Sequence, residues 1–361
     1  MKKAICMLLY TVCLAVCMAL PVFAAEYGEP NITPRMSMKE IRANPSIAGC
    51  GISTYGNGDA DSLLLRRMFE NRTLERYVSA SQAEDCAAGL NLAIQNYNAG
   101  IQVTYQVYTP EEIAADSSLG AVQLYYFPSD TPGSRYAVVL GGNVAMTSGE
   151  LREGVATAAQ LHELGYTVFV LRHSIWLDLE NNGPLRDLGR AVQFIDQRAQ
   201  QFAVQRENYA LFGYSSGGHL IGLFGSEQPY GYRAYDVPQP GALVLSYAVN
   251  DFSEVKPVYH AIMDIGVWDW RYYWSSISSV VTQDYPPVYF WYGENDWVLP
   301  LMVSGAQGPA LQKALEEHGV PYEMRVYANA SHAVGTGRGT DAEGWLTDAV
   351  AFWEQQTAAG T

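Results

Sequence analysis

A serine in a tight, glycine-flanked turn is the first residue whose surroundings could prepare it for chemistry. Residues 213–217 read Gly-Tyr-Ser-Ser-Gly, which places Ser215 in a G-x-S-x-G pattern between the apolar run Tyr209–Phe212 and a helical stretch from about Leu220. Such a strand–turn–helix strains the backbone at the serine and needs neighbours without side chains. Because a serine hydroxyl is a poor nucleophile at neutral pH, it also needs a general base that a carboxylate holds in place.

An acid and a histidine follow the last two apolar runs, in the chain order that this turn predicts. Asp296 comes in the loop after Val288–Trp291, and His332 comes in the loop after Glu323–Tyr327. Glu294 is an alternative acid, but it stands nearer the strand end, where its side chain is expected to point elsewhere. The other histidines lie in helical stretches, on the helix behind the serine, or outside the late loops: His162, His318, His219, His173 and His260. Together with the serine, Asp296 and His332 form the predicted catalytic triad.

Attack by the serine would create an oxyanion, which preorganised N–H groups must stabilise. Ser216, the residue after the nucleophile, supplies one backbone N–H. A second donor is expected after the apolar run Tyr136–Leu140, where two consecutive glycines let the backbone approach a substrate closely. Gly142 and Asn143 are the candidate donors. The other interpretation is that these glycines only form a tight turn.

Short apolar runs alternate with amphipathic stretches along most of the chain, which predicts a mostly parallel sheet with helices on both faces. The predicted strands are Ile101–Tyr108, Ala121–Phe127, Tyr136–Leu140, Tyr166–Leu171, Tyr209–Phe212, Ala242–Leu245, Val288–Trp291 and Glu323–Tyr327. One helix is predicted from a capping box at Thr147 and Glu150 to about Glu163, and another from an apolar stripe over 185–199. Before the first strand we expect an irregular lead-in over 26–57, a helix over Asp59–Val78, and a helix over Ser81–Tyr97 that begins at a capping box of Ser81 and Glu84.

The first 24 residues have the layout of a secretory signal peptide. Two lysines precede the apolar run Ala4–Leu20, and Val22-Phe23-Ala24 fits a cleavage site. We therefore expect a secreted or extracytoplasmic protein. An uncleaved membrane anchor and lipidation at Cys17 are the alternatives. No second long apolar run follows, so no stable membrane span is expected after cleavage.

Charge and cysteine content narrow the classes of partner. The 361-residue chain has a formal charge of −15, and removal of the signal leaves 20 basic and 37 acidic residues, a charge of −17. Such a chain repels phosphate backbones, so no nucleic-acid partner is expected, and it favours uncharged substrates over acidic ones. Two of the five cysteines, Cys50 and Cys86, lie outside the signal. They form either one disulfide or two buried free thiols, and no metal-ligand spacing surrounds them, so no metal site is predicted.

The motifs resemble those of the α/β-hydrolase superfamily, over about 101–356. The likeness is to its esterase and lipase branch, with the hormone-sensitive-lipase-like carboxylesterases and secreted acetylxylan-type carbohydrate esterases. It rests on Gly141-Gly142, the turn 213–219, the segment 286–293 that leads to Asp296 and Pro300, His332, and the helix with Trp345. The resemblance implies an α/β-hydrolase domain over 101–358 without a cofactor, in which Ser215 is the nucleophile. It departs from the family at Leu140 and Asn143, where a His or Pro and a third glycine are usual, and at His173-Ser174, where relatives carry Tyr-Arg.

An aromatic-rich stretch stands where α/β-hydrolases commonly insert a cap, at about 249–283. Its rings, Trp268, Trp270 and Tyr273 among them, either line the substrate site or anchor the insertion to the core. The leading hypothesis is a secreted serine esterase that acts through an acyl-enzyme on small acyl esters, including those of carbohydrates. The alternatives are a serine peptidase of the prolyl-oligopeptidase type and a non-catalytic binding module. The helical segment 25–100 lies outside the resemblance and forms a lid or packs on the core.

Overall fold

The computed structural model describes residues 27–54, 69–144, 147–174, 183–254, 256 and 276–358, without the side chains of 143, 144, 147 and 148. Several predicted features lie outside these residues. They are the signal peptide 1–24, the first half of the predicted helix Asp59–Val78, and the middle of the insertion with His260, Trp268, Trp270 and Tyr273.

A mostly parallel eight-stranded sheet organises the described residues. Its strands run in the order β1-β2-β6-β3-β7-β8-β9-β10. Strand β2 pairs antiparallel with both β1 and β6, and every pair from β6 to β10 is parallel. The strands are β1 Thr104–Gln106, β2 Gln123–Phe127, β3 Tyr136–Leu140, β6 Thr167–Arg172, β7 Ala210–Tyr214, β8 Ala242–Ser246, β9 Val288–Gly293 and β10 Tyr322–Tyr327, while β4 Asn143–Val144 and β5 Thr147–Ser148 form a separate hairpin. The predicted α/β fold is confirmed.

The central strands β3, β6, β7 and β8 are buried along their whole length. Continuous apolar runs fit this position because both faces of a parallel sheet are covered by helices. In β3, Ala137 and Val139 face one core while Tyr136, Val138 and Leu140 face the other. The predicted strand Ile101–Tyr108 is reduced to Thr104–Gln106, since only these residues pair with β2 at the edge of the sheet.

Helices cover both faces of the sheet. One face carries α1 Met38–Ala43, α2 Pro45–Cys50, α3 Leu74–Val78, α4 Ala80–Asn98, α6 Ala156–Glu163 and α12 Trp345–Ala358. The other carries α7 Gly183–Asp196, α8 Ser216–Phe224, α9 Ile277–Val280 and α11 Gln307–His318. Two short helices, α5 Pro110–Ala115 and α10 Leu299–Met302, complete the described α-helices, and the 3-10 helices Ser117–Ala121 and Tyr232–Tyr235 and the π-helix Glu150–Val155 are described besides them. No helix in these described ranges is both long and apolar enough to cross a membrane.

The N-terminal segment is more regular than its sequence predicts and packs on the core. The expected irregular lead-in contains α1, capped by a Ser37–Glu40 capping box, and α2, capped by Asn44. Helix α4 buries Leu90, Ala93 and Ile94 in the same core as α6 and α12. At Gly89 an added Cβ would lie 2.3 Å from the carbonyl oxygen of Val155, so α4 crosses the helical turn before α6 in backbone contact.

Both predicted capping boxes of the later helices are wrong. Ser81 lies inside α4, which begins after Ser79, whose hydroxyl donates to the Gln82 side chain. Thr147 belongs to strand β5, and helical backbone begins only at Glu150. A capping box is a pattern of four neighbouring residues. The first residue of these two helices depends instead on the path of the chain segment that precedes each helix. Helix α8 likewise begins at Ser216, four residues earlier than expected.

Cys50 and Cys86 are buried free thiols. Burial raises the pKa of Cys50 to about 11 and raises the pKa of Cys86 further. The Cys86 thiol donates to the carbonyl oxygen of Leu151 at 3.3 Å. The sequence allowed either a disulfide or two free thiols, and the structure has two free thiols.

Candidate active site

Ser215 occupies the turn between β7 and α8 in a strained conformation. Its φ and ψ are 51° and −117°, a region that costs a non-glycine residue about 1–3 kcal/mol. The backbone N–H of Ser215 donates to Ser246 at the end of β8, at 2.9 Å, which fixes the turn to the neighbouring strand. The turn therefore holds the hydroxyl at the carboxyl edge of the sheet, beside the N-terminus of α8.

The glycines around Ser215 are required by space. A Cβ added at Gly213 would lie 2.5 Å from the carbonyl oxygen of Gly217, and one at Gly217 would lie 2.6 Å from the carbonyl oxygen of Leu140. Both are backbone atoms that cannot move aside cheaply. The steric reason for the G-x-S-x-G pattern is thus visible in the contacts of the turn.

The structure brings the predicted triad together. His332 Nε2 lies 3.0 Å from Ser215 Oγ, and His332 Nδ1 lies 2.7 Å from Asp296 Oδ2. The second carboxylate oxygen of Asp296 accepts the N–H groups of Val298 and Leu299, at 2.9 and 3.1 Å. The Asp296 and His332 side chains are each only 6% exposed. A hydroxyl, an imidazole and a carboxylate therefore form one hydrogen-bonded line, which is the arrangement that a serine nucleophile with a histidine base requires.

The competing residues lie elsewhere. The Glu294 side chain is exposed, and its backbone N–H donates to the carbonyl oxygen of Tyr327. His219 is buried behind the serine, with Nδ1 2.9 Å from the carbonyl oxygen of Val249. His173 is buried beside Ser174, and burial lowers its pKa. His162 and His318 lie on α6 and α11.

The loop after β3 lies against the serine but does not offer both predicted N–H donors. An added Cβ at Gly142 would lie 2.8 Å from Ser215 Cβ, so this backbone borders the nucleophile. The Gly142 N–H, however, donates to Glu153 Oε2 at 2.6 Å, which corrects the prediction that Gly142 is an oxyanion donor. Ser216, the other predicted donor, begins α8 directly after Ser215.

Asn143 remains the donor candidate in this loop. It stands opposite Ser148 in the β4–β5 hairpin, next to the hydrogen bond from Gly149 to the carbonyl oxygen of Gly142. Opposed residues in an antiparallel ladder alternate between hydrogen-bonded and non-hydrogen-bonded pairs. Asn143 and Ser148 therefore form the non-hydrogen-bonded pair, whose N–H groups point away from each other.

Glu153 and Tyr247 form a buried network that the sequence did not reveal. The Tyr247 hydroxyl donates to Glu153 Oε1 at 2.6 Å and accepts the Gly335 N–H at 3.2 Å. Burial, and then the Glu153 carboxylate, raise the pKa of Tyr247, so its hydroxyl stays protonated. Through these bonds the Gly142 loop is tied to the loop that carries His332.

Helix α4 holds the same histidine loop from the other side. Gln82 donates its side-chain N–H to the carbonyl oxygen of Ala333 at 2.7 Å. Asp85, which is buried, accepts from the Thr336 hydroxyl at 2.6 Å and pairs with Arg338. These partners are about 250 residues apart in the chain, and no local pattern in the sequence indicates the contact.

A cavity of about 230 Å³ opens at Ser215 and His332. Part of its wall comes from the N-terminal segment, through Phe69, Arg72, Tyr77 and Val78, and another part from Leu151, Arg152 and Glu153. A larger cavity of about 420 Å³ lies beyond Asp296, but neither Ser215 nor His332 lines it. In the described part of the chain, no group of three or more His, Cys, Asp or Glu residues is placed to hold a metal ion.

Known proteins resemble this chain in sequence and in fold. The BD-FAE family model matches residues 125–264. Endo-1,4-beta-xylanase B of Butyrivibrio fibrisolvens is 23% identical over 232 residues, which are 61% of this chain and 35% of that protein. Acetylxylan esterase of Xylanibacter ruminicola is 22% identical over 245 residues, 66% of this chain and 49% of that protein. The structure of an acetyl ester-xyloside bifunctional hydrolase from Caldicellulosiruptor lactoaceticus matches with a TM-score of 0.55 and 19% identity, over 71% of this chain and 96% of that one.

The chain spans between a third and a half of the length of the two curated relatives. The family-model match includes strands β3, β6, β7 and β8, the loop after β3 and the serine turn, and it ends before the loops that carry Asp296 and His332. The chain therefore has the α/β-hydrolase fold, and its residues 125–264 are similar in sequence to the BD-FAE family.

Proposed function

We propose that this protein is a serine esterase that hydrolyses carboxylic esters through an acyl-enzyme. The observation that carries the proposal is the hydrogen-bonded line of Ser215, His332 and Asp296, at 3.0 and 2.7 Å, on a strained turn at the carboxyl edge of the sheet. Ser215 and His332 line a cavity that can admit a small substrate, and Asp296 lies behind the histidine.

The proposed reaction has two halves. Ser215 Oγ attacks the ester carbonyl while His332 Nε2 takes the hydroxyl proton, and Asp296 stabilises the imidazolium that results. The backbone N–H groups of Ser216 and Asn143 stabilise the oxyanion. His332 then gives the proton to the leaving alcohol. Water, activated by the same histidine, breaks the acyl–serine bond and releases the acid.

The proposed substrates are small acyl esters, including those on carbohydrates. Three observations support this choice: the cavity at the serine is small, one relative is named an acetylxylan esterase, and another is named a xylanase. Export by a cleaved signal peptide fits such substrates, and the layout of the first 24 residues supports it. The proposed partners are accordingly a small-molecule or carbohydrate ester and no nucleic acid.

The Ser215→Ala variant tests the proposal. It should lower kcat for p-nitrophenyl acetate by roughly 10^4-fold or more with an unchanged thermal transition, because the nucleophile is removed while its surroundings stay intact. A fluorophosphonate probe should label the wild type and not this variant. Ser279→Ala, at an exposed serine away from the cavity, is the matched control and should behave as the wild type.

Three results would contradict the proposal. Unchanged ester hydrolysis by Ser215→Ala would show that Ser215 is not the nucleophile. Failure of the probe to label the folded wild type would favour a non-catalytic binding module. Faster cleavage of proline-containing dipeptide amides than of acetyl esters would favour a peptidase.

A further inference from the structure

Two arginines line the cavity that contains Ser215. Arg72 comes from the N-terminal segment and Arg152 from the helical turn that follows β5. Neither guanidinium forms an ion pair with a carboxylate of the described residues, where the recorded pairs use other arginines. The wall of the candidate active site therefore carries two positive charges that no carboxylate of the described residues neutralises in an ion pair.

The contacts of these arginines leave hydrogen-bond donors open. Arg152 gives one N–H to the carbonyl oxygen of Tyr77 at 3.3 Å, but its buried Nε has no hydrogen-bond partner among the described residues. Arg72 is exposed and lies with its guanidinium 4.7 Å from the centre of the Phe69 ring. Stacking on a ring leaves the in-plane N–H groups of a guanidinium available to an anion. An unpaired buried N–H costs free energy that a bound acceptor would recover.

The other charged groups of the cavity do not cancel this charge. Glu153 also lines it, but both of its carboxylate oxygens accept hydrogen bonds, from Gly142 and Tyr247. The remaining titratable groups among the described residues of the wall are Tyr77 and His332, and the histidine is held by Asp296 and Ser215. With two arginines against one glutamate, the described residues of the wall carry a net positive charge, in a protein whose formal charge is −15.

The local charge outweighs the charge of the whole molecule at this distance. At physiological ionic strength, charges separated by more than about 8 Å of solvent are largely screened. A substrate in the cavity therefore meets the arginines of the wall more strongly than the acidic surface. The net charge of the protein, which favours uncharged substrates, is therefore not the charge that a substrate meets at the site.

We propose that the Ser215 site prefers esters that carry a carboxylate near the scissile ester bond, with Arg72 and Arg152 as the residues that bind this carboxylate. This inference rests on the proposed esterase function and deepens it. A guanidinium can donate two parallel hydrogen bonds to a carboxylate, a geometry that gives specificity as well as affinity. The carboxylate is bound and not altered. The ester C–O bond is cleaved as described above, with water consumed and an acid and an alcohol released.

The experiment compares matched anionic and neutral esters, because the carboxylate could be on either part of the ester. Acetylated methyl glucuronoside against acetylated methyl glucoside tests a carboxylate on the alcohol part, and monoethyl succinate against ethyl butyrate tests one on the acyl part. The wild type should have kcat/KM roughly tenfold or more higher for the anionic member of at least one pair. High salt should reduce this preference, since Arg72 is exposed to solvent.

The variants Arg72→Gln and Arg152→Gln test whether these two arginines cause the preference for the anionic ester. Each should raise KM for the preferred anionic ester by about tenfold, and by several times more than it raises KM for the neutral ester, because lost ground-state binding appears in KM. Arg76→Gln is the matched control: it removes the same charge from an exposed position of the same segment that does not line the cavity. It should leave both substrates unchanged.

The possible failures are distinguishable. Wild-type hydrolysis of neutral esters with no preference for either anionic ester would overturn this inference and leave the proposed function standing. Equal losses on neutral and anionic esters, or an equal effect of Arg76→Gln, would also overturn it. If the folded wild type hydrolyses none of the four esters and is not labelled by a fluorophosphonate, the proposed function fails, and the inference that rests on it fails too.

Discussion

At the scale of single residues, backbone strain is concentrated around the candidate nucleophile. Seven non-glycine residues in the described part of the chain have a positive φ, and three of them, Ser215, Tyr247 and Ala333, lie at this site. Such conformations persist only where the surroundings enforce them. Here the enforcing contacts are the hydrogen bonds to Ser246, Gly335 and Gln82.

Glu153 should act as a positioning residue for the oxyanion loop. Glu153→Ala would leave the Gly142 N–H without its partner and should lower kcat for p-nitrophenyl acetate by about 10–100-fold, with a smaller change in KM. Glu153→Gln keeps an acceptor for Gly142 and a polar partner for Tyr247, so it should restore most of kcat. If Gln is as impaired as Ala, or if only the thermal transition changes, the positioning role is wrong.

Glu150 should make the stability of the protein depend on pH. Burial raises the pKa of this carboxyl to about 7, although Arg172 lies 3.7 Å away. The folded state then binds more protons than the unfolded state between about pH 4.5 and pH 7, so the Glu150 contribution lowers stability as pH rises through this window.

Glu150→Gln should remove this dependence. The variant should match the wild type at pH 4, where the carboxyl is neutral in both states, and should be more stable at pH 8 by an amount on the order of 3 kcal/mol at most. Chemical denaturation at pH 4 and at pH 8 measures the difference in the free energy of unfolding between wild type and variant. Glu163→Gln, at an exposed glutamate, is the control. A wild type and variant with the same pH profile would show that burial does not shift this group.

At the scale of elements, α4 links the N-terminal segment to the triad. Gln82 and Asp85 are one helical turn apart and contact Ala333, Thr336 and Arg338 in the loop that carries His332. Residues three apart on a helix share a face, so one helix face positions the whole loop. The sequence predicted the helix itself, but no periodicity could show which loop its polar face meets.

Loss of this contact should impair catalysis more than binding. In Asp85→Ala, Thr336 and Arg338 lose their acceptor, so His332 should be less well held and kcat should fall by roughly tenfold with little change in KM. Glu84→Gln changes an exposed acid on the same helix and serves as the control. The comparison is made well below the thermal transition of each variant. A variant that is less stable but has normal kcat would show that the contact is only structural.

At the scale of the whole molecule, the N-terminal segment and the sheet form a continuous structure. The helices α1 to α4 share one apolar core with α6, α12 and the sheet, and the chain just before α3 adds Phe69 and Arg72 to the wall of the cavity. The segment therefore packs on the core and also shapes the candidate site. The boundary near residue 100 marks the start of the family resemblance and not a division of the core.

A single cooperative unfolding transition is the expected consequence. Gly89→Ala should shift the entire transition to lower temperature, by an amount that corresponds to about 1–3 kcal/mol, because its Cβ would meet the Val155 carbonyl at the crossing of α4. Gly120→Ala, where the added Cβ has its nearest neighbour at 3.5 Å, is the control. Two separate calorimetric transitions, with only one of them shifted, would contradict the single unit.

The sequence by itself determined the sheet, the serine turn and the order of the triad. These features are encoded locally: apolar runs predict buried strands, the glycines at 213 and 217 permit the turn, and strand ends of a parallel sheet meet at one edge. Only the tertiary structure decided that Gly142 is engaged by Glu153, that Cys50 and Cys86 stay unpaired, and that Arg72 and Arg152 face the nucleophile's cavity. Each of these features depends on which distant segments of the chain come into contact. Because the packing of the whole core determines these contacts, the local pattern of residues does not predict them.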